Sequence, residues 1–124
     1  MTIEGFCGLQ HLTPFDEALE DFRATADGIL KDHFASNGYT FAVPVIEIKA
    51  GGRRYAKLIR AENDPDTGER RAYSGSVHSF VEKATGDIFK PASHSAPAKH
   101  ARGNIYRGNG AEALTDDAHV RYLR

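Results

Sequence analysis

TPFDEALEDFRATADGILKDHFASNG, residues 13–38, is the stretch that decides how this chain folds. Apolar residues recur at Phe15, Ala18, Leu19, Phe22, Ala26, Ile29, Leu30 and Phe34, one stripe at helical period. Glu20, Arg23, Asp27 and Lys31 fall on the opposite face. Thr13 is a good N-cap and Pro14 suits the first helical position. Asp16, Glu17 and Glu20 sit where the positive end of the helix dipole favours acids. Asn37-Gly38 is a typical stop. The pattern predicts a helix over Pro14–Ser36, with Gly28 its one weak former.

Downstream the period changes. Tyr39–Ala50 is rich in β-branched and aromatic residues and reads as a strand, with Pro44 placing it at an edge or bulge. Gly51-Gly52 is a hairpin turn. Arg53–Glu62 follows as a second strand, then a polar turn over Asn63–Gly68. Arg70–Lys83 is a third strand, bulged near Gly75, and Asp87–Lys90 a short fourth one. Within Ala92–Tyr106, Ser95 as cap, Pro97 in the first turn and Gly103 as stop suggest a short second helix. The expected fold is α+β: one long N-terminal helix on a four-stranded antiparallel meander, then the short second helix. Residues 1–107 form the expected single domain, and 108–124 a C-terminal tail or edge extension.

At 124 residues, 40% hydrophobic and 27% charged, the chain is of one-domain size and ordinary globular composition. It has no apolar run near 18 residues and no signal-peptide pattern at its start. Its single cysteine, Cys7, excludes an internal disulfide and any cysteine-rich zinc framework. A cytoplasmic protein is expected, without cofactor or membrane partner.

Net charge is −1, but the charges are segregated. Residues 1–50 hold eight acids against three bases; residues 51–107 hold eleven bases against six acids. Ile88–Arg107 contains no acid at all. That segment carries Lys90, Lys99, Arg102 and Arg107, with His94 and His100, a distribution suited to a phosphate-bearing partner or to balancing the acidic helix.

Within Ser76–Tyr106, Gly86, Asp87, Ile88, Lys90, Ala92, Ser93, Pro97, Ala98, Lys99, Arg102, Gly103, Asn104 and Ile105 form a pattern. It resembles that of small, mostly uncharacterised bacteriophage and prophage proteins, which have an aromatic residue where this chain has His94. The resemblance implies a viral accessory protein acting in a bacterial host cytoplasm and carries no established activity.

The candidate ligand-binding residues are Lys90, Ser93, His94, Ser95, Lys99, His100 and Arg102. A helix starting near Ser95 would present free backbone N–H groups, the two serines hydroxyl donors, Lys99 a point charge and Arg102 a planar fork for phosphate. The expected function is non-enzymatic gripping of nucleic acid or a nucleotide signal. One alternative is a protein–protein inhibitor of a host defence or replication factor. Another is a metal-free nuclease using His78, His94, His100, Lys99 and Asp87. His94 and His100 lack helical zinc-ligand spacing, and NDPDTGE (63–69) reads as a solvated turn, so no metal is expected. A homodimer through a free sheet edge is a further expectation.

Overall fold

The protein is described here by a computed structural model covering residues 13–49, 52–72 and 75–122. The readings of Cys7 and of Gly51 lie outside these residues. Helix α1 spans Pro14–Ser36, as its period predicts. Thr13 and Asp16 form a reciprocal capping box: Thr13 Oγ1 accepts from the Asp16 backbone N–H at 3.1 Å, and Asp16 Oδ2 accepts from the Thr13 N–H at 3.1 Å. At the other end Gly38 adopts φ +68°, and the N–H of Tyr39 closes on Phe34 O at 2.9 Å.

Among the described residues five antiparallel strands follow in meander order: β1 Val43–Lys49, β2 Tyr55–Asn63, β3 Ser76–Glu82, β4 Asp87–Phe89 and β5 Gly103–Asn104. The α+β class and antiparallel sheet match expectation, with one strand more than the four predicted. The register shifts between Leu58 and Ile59. Leu58 pairs with Ser79 and Ile59 with Val77, so His78, not Gly75, is the extra residue of a bulge.

The expected second helix is absent. Pro91 and Pro97 bridge, the N–H groups of Ala92 and Ser93 both close on Ala96 O, and Ala98 N–H returns to Lys90 O. His100 sits at φ +70°, and Arg102 N–H bonds Ile88 O. These bonds hold 91–97 as a tight loop and lead the chain back beside β4, where Gly103–Asn104 becomes the fifth strand. Two prolines, a left-handed residue and long-range pairing outweigh a weak local helix signal. The helical segment that does follow is a 3-10 stretch, Gly108–Ala113, kinked at Asn109 and Gly110.

Leu19, Phe22, Ala26, Leu30 and Phe34 of α1 pack on Ile46, Ala56, Leu58, Val81 and Ile88 of the sheet. Ala113, Leu114, Ala118 and Val120 complete this core, so the region set apart as a tail contributes four buried side chains. His78, only 6% exposed, ties that region down: its Nε2 bonds Ala118 O and its Nδ1 lies 2.9 Å from Ser79 Oγ. A carbonyl only accepts, so Nε2 carries the proton of a neutral ring and Nδ1 accepts from the serine.

Helix α1 also guards the sheet. The outer edge of β1 meets its polar side chains: Lys31 Nζ donates to Pro44 O (2.8 Å), Arg23 Nη1 to Ile46 O (3.0 Å), and Ile46 N–H donates to Asp27 Oδ1 (2.9 Å). The opposite edge, β5, is two residues long. A capped edge and a very short one weigh against pairing with a second copy there.

Two outcomes follow from the core. Gly110 is buried at φ +75°, and a Cβ there would lie 2.6 Å from Phe22 Cδ1 and 2.8 Å from Ile88 Cδ1. Gly110→Ala should cost about 2–4 kcal/mol of unfolding free energy, read by urea denaturation. Burial, with the Arg60 and Lys90 charges adding to it, lowers the His78 pKa from 6.5 to about 4. The unfolded chain therefore takes up this proton first, so stability is full above about pH 6.5 and lost as pH falls toward 4. Between about pH 7 and about pH 5 the loss should be about 2 kcal/mol, and His78→Gln should flatten it.

Candidate functional site

Strand alternation turns Tyr55, Lys57, Phe80 and Phe89 to the face away from α1. Tyr55 meets Phe80 and Phe89 edge-on, with ring centroids 6.0 and 5.9 Å apart. Arg54 lies 5.1 Å over the Tyr55 ring and Lys57 Nζ 5.6 Å over Phe80. Lys57 Nζ also donates to His94 O at 2.8 Å, tethering the 91–97 loop to the sheet.

Between the β1–β2 turn and that loop lies an open groove of about 390 Å³. Lys49, Arg53, Arg54 and Lys57 line it with Gly52, Tyr55, Phe80 and Ser95, and no acidic residue does. Lys83 Nζ donates to Gly52 O. Arg54 Nε pairs with Glu82 Oε2 at 3.0 Å from outside the lining. Among the described residues, Lys49, Arg53 and Lys57 have no acid partner.

The register adds an energetic mark. Lys49 and Lys57 are direct cross-strand partners. Like charges so placed repel and destabilise a sheet unless an anion sits between them. A local rule broken without an internal counter-charge is a common feature of functional sites.

Of the seven residues expected to bind a ligand, only Ser95 lines this groove. Ser93 Oγ accepts from the Ser95 N–H (3.3 Å), shaping the loop tip, and His94 contributes its carbonyl to Lys57. Lys99 and His100 are exposed further along the loop. Lys90 and Arg102 face the C-terminal segment instead. Lys90 Nζ donates to Val120 O (2.8 Å) beneath the Tyr122 ring, 4.0 Å away, and burial followed by the Arg102 charge lowers its pKa. Arg102 donates to Arg121 O (3.1 Å) and Lys99 O (3.2 Å). With no helix over 95–102, the expected helix-start N–H groups do not exist as a site.

The groove's cations had a signal in the sequence. Ile48–Ala61 contains no acid and five bases, Lys49, Arg53, Arg54, Lys57 and Arg60, a denser run than Ile88–Arg107. Nuclease chemistry loses His78, which is buried and bonded to the backbone. Among the described residues no group of three or more His, Cys, Asp or Glu side chains is placed to hold a metal, and no helix is long and apolar enough to cross a membrane.

Removing one of the facing lysines should relieve the repulsion. Lys49→Gln is expected to raise unfolding free energy by about 0.2–1 kcal/mol at low salt, with the gain shrinking as salt is added. Thermal denaturation at two ionic strengths reads both.

No curated protein and no solved structure matches the chain significantly. A family model described as "Family of unknown function (DUF7717)" matches residues 17–121, from the first turn of α1 to the C-terminal segment that closes the core. The chain belongs to that family of unknown function.

Proposed function

We propose that this protein is a non-enzymatic accessory protein of phage type, acting in a host cytoplasm, that grips a phosphate-bearing ligand, nucleic acid or nucleotide. The observation that carries the reading is the groove of four cations with no acid in its lining, two of them facing lysines that have no counter-charge among the described residues. An anion there would neutralise the Lys49–Lys57 repulsion, and the Arg53 and Arg54 guanidinium groups offer planar forks for phosphate oxygens. Ser95 adds a hydroxyl from the loop. Lys99 extends positive charge along that loop and His100 adds an exposed ring, whereas Lys90 and Arg102 hold the C-terminal segment.

Binding at low salt, followed by anisotropy with a labelled oligonucleotide or by thermal shift with a nucleoside triphosphate, tests the reading. Arg53→Ala with Lys57→Ala should weaken binding at least about tenfold, in line with the loss of two charge-assisted contacts. Arg102→Ala should lower stability and leave binding near the wild-type value. Absence of binding by both ligand classes, or binding indifferent to the double substitution, would reject it.

One observation favours the second reading, a protein partner. Tyr39 (43% exposed), Phe41 (53%) and Val43 (38%) stand out beside Phe34 at the start of β1. Large exposed aromatic residues are typical anchors of protein interfaces. Phe41→Ser should abolish retention of a host factor, without affecting anion binding, if this patch carries the function.

A further inference from the structure

We infer that the groove recognises the sugar–phosphate backbone of duplex nucleic acid, and neither its bases nor a free nucleotide; this rests on the phosphate-binding reading above.

Proteins that hold single strands or isolated nucleotides commonly offer an aromatic face on which a base stacks. Here both rings of the groove are engaged. Arg54 covers a face of Tyr55, whose ring meets Phe80 and Phe89 edge-on. Phe80 is 3% exposed, beneath Lys57 and the 91–97 loop. The rings form a floor under the cations: Phe80 offers a base no surface, and half-buried Tyr55 has one face taken by Arg54. A pocket for a small ligand is also usually concave, enclosed and mainly apolar. This groove is open, and among the described residues the charges of Lys49, Arg53 and Lys57 have no acid partner.

What remains is a short row of positive charge on a stiff platform. The β1–β2 ladder fixes Lys49 beside Lys57, and Arg53 and Arg54 lead into β2. Such a row suits a regular line of phosphates whose bases are stacked away inside a helix. It neutralises backbone charge and releases counterions without reading sequence.

The experiment uses the full chain and fluorescein-labelled duplexes of two unrelated sequences, titrated by anisotropy from about 50 to about 200 mM salt. The two duplexes should bind within about twofold of each other, and log K should fall with log salt at a slope of about −3, from three unpaired cations. Lys49→Gln and Arg53→Gln should each reduce the slope by about one, while circular dichroism shows the variants folded. A single strand of either sequence, ATP and tripolyphosphate should each compete at least about tenfold more weakly than unlabelled duplex. If ATP, tripolyphosphate or the single strand competes as well as the duplex, and the substitutions weaken it, the duplex inference is overturned while the phosphate reading stands. A strong preference between the two duplex sequences overturns it equally. If no probe binds, or none responds to the substitutions, both readings fall.

Discussion

Burial of one helical stripe on one face of the meander is the interaction on which the rest depends. Leu19, Phe22, Ala26, Leu30 and Phe34 are each at most 6% exposed, and the four larger side chains contribute about 1.5–3 kcal/mol apiece when fully buried. Phe22 is the centre of this contact. It touches the sheet, lies 6.2 Å from the His78 ring, and leaves room at Gly110 for no more than a hydrogen. Because α1 lies along β1, its polar flank also reaches the edge backbone, so the same placement that buries the stripe satisfies Pro44 and Ile46.

Covering one face leaves the other to a smaller structure. Tyr55, Phe80 and Phe89 form a satellite cluster there, closed by cation–π contacts and the 91–97 loop. The cations that close it also line the groove, so support and binding capacity come from the same side chains. The Lys49–Lys57 pair shows the conflict most plainly: it works against the sheet and in favour of an anion.

The C-terminal segment shows how tertiary structure reassigns residues. Lys90, Arg102 and His78 are polar groups of the kind that suggest chemistry, yet each bonds a carbonyl of residues 99–121. A backbone entering the core needs its carbonyls satisfied, and these three side chains lie where that happens. Lys99 and His100, with no such demand upon them, stay in solvent.

Local signals were sufficient for α1, its caps and the antiparallel α+β class, because amphipathic period, capping residues and glycine turns act within a few residues. They were not sufficient for the Ala92–Tyr106 region, where Ser95, Pro97 and Gly103 imitate a helix start and stop. Pairing with Ile88 and close packing of Gly103 against Ala113 made that stretch a loop and a strand. The acid-free run Ile88–Arg107 therefore identified a basic half of the chain without identifying its site. By itself the sequence determined which residues are charged and which face of α1 is apolar. Only the tertiary structure decided which cations meet each other and which meet a carbonyl, because strand register and the path of the chain are set by contacts between distant residues.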